Sequence, residues 1–417
     1  MPNLVINPLQ GTFDNCLVGN FLKKLLTKTR VGKHMPELIV YNTIAEIKDE
    51  LKQPGIAGTL ETSPEYLSAL ENSFQDLNFR YAIIYKDHIP VLFAYFQLFS
   101  ITSRNFKLDT NKRFVRGIFR FFLDFHKARI LQLGNTMRTE TPGYSFDPRY
   151  FNNEDAMEAI ASIAEKIAAD EKVVAVILKD IPTPSSTTCC NLNGMGYQKP
   201  WDDQIMQMEV DANWKSFNDY TAALSRKYKT RAKKAIEVRN KLTISALSEE
   251  QIKQLQPDIY RLYSEVTTKQ AFVLSQTCSD YFISLKKLYK DNFEVYGYFF
   301  EDKLVAFYSA FVTPENYEVY YIGINYELNN EYQLYFNILF SGLERAIHLR
   351  KGILKLGRTS FDAKASLGAK PKSLDYLIKM ASIPDFVIKW FVCYFDAVED
   401  GKWKQRNPLK SMEAQAS

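Results

Sequence analysis

The chain has 417 residues, more than a single hydrophobic core usually supports, and we therefore expect two domains. Apolar residues make up 46% of the sequence and charged residues 24%, which is typical of a soluble globular protein. The net charge of +5 is small for this length and excludes a protein that binds polyanions over its whole surface.

Neither a signal peptide nor a membrane span is predicted. The first residues, MPNLVINPLQ, lack a basic leader followed by an apolar run, and no apolar run approaches the roughly 18 residues of a bilayer span. Two shorter apolar stretches lie at 114–125 and 386–395. They favour buried or partner-covered helices, with contact to a membrane surface or a lipid substrate as the alternative, and we expect no stable membrane insertion.

The cysteines and histidines predict no metal site and no disulfide framework. The five cysteines follow no ligand spacing, and the adjacent pair Cys189 and Cys190 cannot bridge without strain. The four histidines are far apart in the sequence. We therefore expect a reduced, cytoplasmic protein without a metal cofactor.

The first half of the chain predicts an antiparallel hairpin followed by a strand–helix–strand crossover. The segment YAIIYKDHIPVLFAYFQLF is a strand, a charged turn at Asp87 and a second strand. A strand RILQLGN, an irregular loop TMRTETPGYSF, a helix EDAMEAIASIAEKIAAD and a strand VVAVILKDI follow in that order.

A basic cluster opens the second half. From residue 224 to residue 241 there are eight Lys or Arg residues and one acid, Glu237. On one continuous helix over 220–241, an apolar stripe centred on Leu224 would carry Arg231 inside it. A buried guanidinium needs a partner, so we predict that Arg231 points into the domain, toward an internal carboxylate or a ligand phosphate. The remaining cations predict a solvated outer face, with RNA or membrane phosphate as the alternative.

The second half repeats the order of the first. VYGYFFEDKLVAFYSAFV has the form of the first hairpin, with Asp302 in the matching turn. The segments VYYIGIN, YELNNEYQLY, FNILFSGLERAIHLR and ILKLGRT then follow. We predict a mixed α/β fold in two tandem domains, at 37–212 and 213–383, with an N-terminal extension at 1–36 and an apolar segment and tail at 384–417.

This order resembles the GNAT acyltransferase fold in a tandem arrangement, and the second half is similar to the branch that includes the Fem-type peptidoglycan-bridge aminoacyltransferases. The resemblance is carried by TSPEYLSALENS, LSRKYKTRAKKA, VYYIGINYELNNEYQLYFNILFSGLERAI and LKLGRTSFDAKASLGAKP, and it covers roughly residues 38 to 380. It implies that the second half is the catalytic one. It also implies that the donor carbonyl faces the strand at 319–324, near Tyr321, Ile322 and Gly323.

The family's diphosphate-binding loop has the form [QR]xxGx[GA] at a helix N-terminus, where free N–H groups meet an anion. NNEYQLYF stands at this place in the second half and has no glycine. The first half keeps Arg138 and Gly143 but lacks the middle glycine. Arg138 and Gly143 are therefore candidates for binding phosphate, with an ordinary Pro-Gly turn as the alternative.

The family's proton-donating tyrosine is replaced in AKASLGAK by Lys364, four residues before Gly368. An ammonium group suits phosphate binding or the stabilisation of negative charge better than proton donation at neutral pH. Arg358 ends the preceding strand, and the two cations together are candidates for holding the donor. Asp362, between them, is a candidate general base, with Glu265 and Asp280 as weaker ones.

Three functions follow from the sequence. The first is an N-acyltransferase that moves an acyl group from acetyl-CoA or another acyl-CoA to the amine of a small molecule or a cell-wall precursor. The second keeps the fold and uses an aminoacyl-tRNA donor, as the Fem-type resemblance implies, with tRNA as a partner. The third is a catalytically silent binding protein that retains the fold.

Overall fold

The computed structural model describes residues 36–107, 124, 128–181, 191–199, 203–380 and 403–410. They form two compact units, each with its own sheet. Unit 1 contains the described residues up to 199, together with 274–277 and 375–380. Unit 2 contains residues 203–273, 278–374 and 403–410.

Unit 1 is built on a mixed seven-stranded sheet. Its strands are β1 (Glu37–Tyr41), β2 (Asn78–Lys86), β3 (Ile89–Ile101), β4 (Ala128–Leu133), β5 (Tyr144–Phe146), β6 (Ala175–Lys179) and β14 (Tyr376–Met380). The order is β1-β2-β3-β4-β6-β14, and β5 pairs with β3. Only β4 and β6 pair in parallel, which is the pairing that a helical crossover produces.

Local signals explain the elements of unit 1. Asp87 and His88 both have positive φ, as a two-residue type I′ hairpin between β2 and β3 requires. The main helices are α1 (Pro64–Ser73) and α2 (Asn153–Glu171). Asn152 caps α2, and the left-handed Lys172 ends it. Its apolar face, with Ile160 and Ile163 fully buried, packs on the sheet, so the crossover forms one continuous core.

Unit 2 is also built on a mixed seven-stranded sheet. Its strands are β7 (Gln204–Glu209), β8 (Thr243–Ala246), β9 (Phe293–Phe300), β10 (Lys303–Val312), β11 (Asn316–Ile324), β12 (Ile353–Gly357) and β13 (Lys370–Ser373). The order is β13-β7-β12-β11-β10-β9-β8, and β11 and β12 pair in parallel. Glu301 and Asp302 repeat the positive-φ hairpin turn of unit 1.

Helices cover both faces of the second sheet. They are α3 (Phe217–Ala223), α4 (Arg226–Arg239), α5 (Glu249–Gln254), α6 (Gln256–Thr267), α7 (Tyr281–Tyr289), α8 (Tyr326–Tyr332), α9 (Leu334–His348) and α10 (Phe361–Ala365). Helix α9 packs against Val319 and Leu354 with its buried glycine Gly342. On the other face, Tyr263 of α6 and Phe282 of α7 pack against Tyr321. The sheet is thus the middle of three layers.

The topology confirms the predicted fold class, a mixed α/β fold in two units with the same strand order. Each unit has an antiparallel hairpin that leads into a parallel crossover. The segment YELNNEYQLY, which stands where the first half has its irregular loop, contains helix α8, which Asn325 caps. The extension at 1–36 lies almost wholly outside the described residues, and both apolar stretches, 114–125 and 386–395, fall outside them apart from residue 124.

The units divide differently from the expected boundary at 212/213. Strand β7 precedes that boundary, yet it pairs with β12 and β13 and so belongs to unit 2. Strand β14 comes from the expected second domain, yet it pairs with β6 in unit 1. Each unit therefore takes one strand from a part of the sequence assigned to the other. Strand pairing across so many residues leaves no local signal.

Candidate functional site

The two parallel strands of unit 2 separate toward their carboxyl ends. Strand β11 pairs with β12 only where residues 316–318 face residues 353–355. Beyond that point β11 continues along β10, while β12 stays with β7. In open α/β sheets, ligands bind outside the carboxyl ends of the strands, where neighbouring connections diverge. This end of unit 2 is therefore the candidate site.

A strained turn follows β12 at this end. We call residues 357–360, with the sequence GRTS, the strap. Gly357, Thr359 and Ser360 all have positive φ, at 69°, 67° and 51°. Glycine adopts this region freely, but each other residue costs about 1–2 kcal/mol, and a β-branched residue such as Thr359 is an outlier there. Such strain persists only where the surroundings enforce it, and it is concentrated at functional sites.

Lys364 lies beneath the strap. It is only 4% exposed, and its Nζ donates hydrogen bonds to the carbonyl oxygens of Gly357, at 3.1 Å, and of Arg358. Burial lowers the pKa of Lys364 to about 7. A neutral amine has two N–H groups, which match the two carbonyls. The sequence suggested that Lys364 holds the donor, but the structure buries it under the backbone, where it cannot reach a ligand.

The other two candidates of this region form ion pairs within unit 2. The guanidinium of Arg358 forms a two-pronged contact with the carboxylate of Asp203, with Nε 3.1 Å from Oδ1. Asp362 is exposed, and its Oδ1 lies 3.0 Å from Nη2 of Arg406. Asp362 therefore faces solvent and a cation, an arrangement that favours a surface ion pair over a general base.

The first turn of α9 borders the strap. Helix α9 begins after Gln333, which is left-handed and provides no side-chain cap. Burial raises the pKa of Tyr335, in this turn, to about 12, and a hydrogen bond between its side chain and Ser360 opposes part of that rise. Tyr335 therefore connects the helix start to the strap and stays protonated at neutral pH.

Arg231 also contacts this turn, but it does so from the exposed face of α4 and not, as the sequence predicted, from inside the domain. It is exposed on α4, and its Cζ lies 4.0 Å from the centre of the Phe336 ring. The predicted stripe assumed one helix over 220–241, but the chain is extended at Leu224 and α4 begins at Arg226. The buried face of α4 is set by Ala232 and Ala235 instead, and Arg231 does not point into the domain.

Strand β11 contains a bulge at the position of the expected donor carbonyl. Tyr320 and Tyr321 together face Ser309, because the register shifts by one residue there. Ser309 Oγ accepts from the Tyr321 N–H at 3.1 Å and donates to its carbonyl oxygen at 3.2 Å. The Tyr321 N–H is thus already bonded inside the protein, and it does not face an open cleft as the resemblance implied.

The two residues after the bulge belong to the packed sheet. Ile322 pairs with Tyr308, and Gly323 pairs with Phe307. A Cβ on Gly323 would lie 2.2 Å from Phe307 Cε1 and 2.7 Å from Leu262 Cβ, so this glycine lets helix α6 approach β11. Its role is therefore in packing.

Unit 1 fills the equivalent end of its parallel strands with its own side chains. The N–H groups of Glu140 and Thr141 donate to the carboxylate of Asp180, at 2.7 and 3.2 Å. Arg138 is buried and pairs with Glu61 at 3.0 Å. The loop that the sequence suggested for phosphate binding thus holds a protein carboxylate in place of a ligand anion.

Gly143 ends that loop in contact with Gly134. A Cβ on Gly143 would lie 2.3 Å from the Cα of Gly134, so the two backbones touch. The carbonyl of Gly143 accepts from the N–H of Tyr95 at 2.9 Å, and the N–H of Gly134 donates to the carbonyl of Tyr95 at the same distance. Gly143 therefore closes the loop against the sheet.

Sequence reasoning missed four residues that shape these two strand ends, namely Asp180, Asp203, Ser309 and Phe336. Asp180 did carry a signal, because a carboxylate directly after a buried parallel strand lies at the strand's carboxyl end. The others act through partners distant in sequence. The described residues contain no His, Cys, Asp or Glu cluster suited to a metal ion. Every helix in them is too short or too polar to cross a bilayer.

Comparisons with known proteins find similar solved structures at low sequence identity. FemX is 10% identical, with a TM-score of 0.49, and the match covers 84% of this chain and 99% of that chain. A tandem GNAT protein from the clavulanic acid biosynthesis pathway is 9% identical, with a TM-score of 0.45 and coverage of 84% and 100%.

A GCN5-related N-acetyltransferase from Anabaena variabilis is 11% identical, with a TM-score of 0.42 and coverage of 82% of this chain and 73% of that chain. No protein-family model matches the chain, and no curated protein is similar to it in sequence.

Proposed function

We propose that unit 2 is an N-acyltransferase that takes an acyl group from a coenzyme A thioester and transfers it to an amine. The observation that carries the proposal is the separation of β11 and β12, with the strap at the end of β12 and the first turn of α9 beside it. A separated pair of parallel strands offers a cleft in which a thioester and an amine can meet.

The donor's diphosphate would bind at the first turn of α9. This helix has 15 residues, and its first turn carries the positive end of the helix dipole. Asn329 Oδ1 already accepts from the Tyr335 N–H at 3.0 Å, so the phosphate would meet the N–H groups of Leu334 and Phe336. Arg231 adds a cation over Phe336, the third residue of that turn. Because Arg231 is exposed and forms no ion pair within the described part of the chain, its guanidinium is available to a phosphate.

The reaction joins the amine nitrogen to the thioester carbonyl carbon and breaks the carbon–sulfur bond. The nitrogen loses a proton, and the departing thiolate gains one. Tyr335 is the candidate proton donor, because its side chain interacts with Ser360 of the strap and its hydroxyl is protonated at neutral pH.

A second candidate, an aminoacyl-tRNA donor, is favoured by the outer face of α4. The exposed cations near Arg231 are Arg226, Lys227, Lys233, Lys234 and Lys241. Glu237 is the one acid among them, and within the described residues none of these cations forms an ion pair. Such a face would grip nucleic-acid phosphates, and its binding would weaken steeply as salt rises.

Calorimetry tests both candidates. We expect coenzyme A to bind the full chain at low and high salt, and Arg231→Ala to weaken that binding about tenfold. Lys370→Ala is the matched control, because Lys370 is exposed on the edge strand β13 and this substitution also removes one positive charge. Salt-sensitive tRNA binding without any response to coenzyme A would replace the first candidate by the second. A chain that binds neither is catalytically silent, which would overturn the proposal.

A further inference from the structure

The buried amine of Lys364 has an unusual set of partners. A buried lysine ordinarily pairs with a carboxylate, because an isolated ammonium is costly to bury. In the described part of the chain, Lys364 Nζ contacts no carboxylate and donates only to the carbonyl oxygens of Gly357 and Arg358. Burying this amine costs free energy, and the structural reason for its position is the segment that its two hydrogen bonds hold.

The two bonds hold the strap in its left-handed form. Thr359 and Ser360 have φ of 67° and 51°, which residues with a Cβ adopt only under constraint. Lys364 fixes the carbonyl groups of Gly357 and Arg358, which precede Thr359 and Ser360. These two bonds therefore set the direction in which the chain enters the turn. Methionine would fill the same volume and offer no donor.

The strap is held at three points. Lys364 bonds its first two carbonyls from beneath, Arg358 pairs outward with Asp203, and the side chain of Ser360 interacts with that of Tyr335 in the first turn of α9. This last interaction connects the strap to the helix start at which the donor's diphosphate is proposed to bind. A change in the strap would therefore displace Tyr335 and the N–H groups beside it.

We infer that Lys364 is a positioning residue for the acyl donor: it never touches the donor, and it locks the strap so that the strap and the first turn of α9 present one rigid binding edge. This inference rests on the proposed acyltransferase function of unit 2. It replaces a chemical role for the lysine with a geometric one.

Lys364→Met, with Lys370→Met as the control, tests the inference by two independent readouts. Hydrogen exchange reports on the strap through the amides of residues 363 and 364, which both donate to the Ser360 carbonyl oxygen at 3.2 Å. We expect these two amides to exchange at least about tenfold faster in Lys364→Met. Calorimetry with coenzyme A reports on the donor site, and we expect about tenfold weaker binding. Lys370→Met should match the wild type in both measurements.

Rescue by glycine separates positioning from chemistry. Glycine adopts φ near 67° without constraint. We therefore expect Lys364→Met/Thr359→Gly to regain most of the affinity lost in Lys364→Met, with Thr359→Gly alone measured as the reference. If Lys364→Met does not fold, Lys364→Gln takes its place with the opposite expectation, since its amide keeps N–H donors without the amine. Slow exchange with the coenzyme A affinity of the wild type supports positioning, and slow exchange with lost affinity refutes it.

The outcomes distinguish this inference from the proposed function. Unchanged exchange of the amides of residues 363 and 364 in Lys364→Met refutes the inference, whether or not coenzyme A binds. Faster exchange with full coenzyme A affinity refutes the connection to the donor. Lost affinity that the glycine does not restore indicates a direct role of the amine. If the wild type does not bind coenzyme A, the proposed function fails, while the exchange data still decide whether Lys364 holds the strap.

Discussion

Replacing Lys364 by methionine should change how the stability of unit 2 depends on pH. In the folded protein the pKa of Lys364 is about 7, against the ordinary lysine value of 10.5, because the amine is buried beside neutral partners. Between these values the unfolded chain holds a proton that the folded chain has released. Raising the pH therefore stabilises the folded state in this window, and lowering it toward 7 removes that gain.

The size of the effect follows from the shift. One proton of difference corresponds to about 1.4 kcal/mol per pH unit, so the free energy of unfolding should rise by up to about 3 kcal/mol between pH 7 and pH 9.5. The window ends there because burial raises the pKa of tyrosines such as Tyr298. Those groups stay protonated when folded and reduce stability above about pH 10.

Urea unfolding of the full chain, followed by circular dichroism at several pH values, measures the effect. The lost carbonyl bonds in Lys364→Met lower stability by an amount that does not depend on pH. The pH-dependent rise should disappear in Lys364→Met and persist in Lys370→Met, whose lysine is exposed. An equal rise in the wild type and in Lys364→Met would refute the assigned burial and pKa of this lysine.

Three further substitutions test the packing of the two strand ends. Gly143→Ala should destabilise unit 1 by about 3 kcal/mol or more, because its Cβ would lie 2.3 Å from the Cα of Gly134; a thermal melt like that of the wild type would contradict the contact. Gly323→Ala should cost unit 2 about 1–3 kcal/mol in urea unfolding, because its Cβ would meet the Phe307 ring, and no change would show that the ring moves aside freely. Asp180→Asn should cost about 1.5–3 kcal/mol, since two N–H groups lose a charged acceptor, and a neutral result would mean that the amide serves them equally well.

The sequence predicted the repeated architecture because its signals are local. Alternating apolar residues around a short charged turn define a hairpin, and the structure places such turns at Asp87 and His88 in unit 1 and at Glu301 and Asp302 in unit 2. Three- and four-residue spacing likewise defined the crossover helices α2 and α9. These patterns depend only on near neighbours, so one sequence suffices to find them.

The sequence could not predict the geometry of the site, because distant residues set it. The helix over 220–241 is interrupted where Leu224 forms a β-bridge with Leu409, and this interruption turns Arg231 outward. The N–H groups of the loop at 138–143 in unit 1 are not open to a phosphate because they bond Asp180, which lies forty residues after Glu140. The role of Lys364 depends on which carbonyls fold over it. The spacing of the motif identified Arg358 and Lys364 as candidate site residues, but it did not predict which atoms they contact.

Co-crystallisation with acetyl-CoA tests the central claim most directly. Our account predicts the diphosphate at the first turn of α9, within reach of Arg231, and the thioester between the ends of β11 and β12 beside the strap. Unit 1 should remain empty at its equivalent end, because Asp180 already occupies the N–H groups there. Acetyl-CoA bound against the Asp180 loop of unit 1, with the strap of unit 2 vacant, would contradict the account.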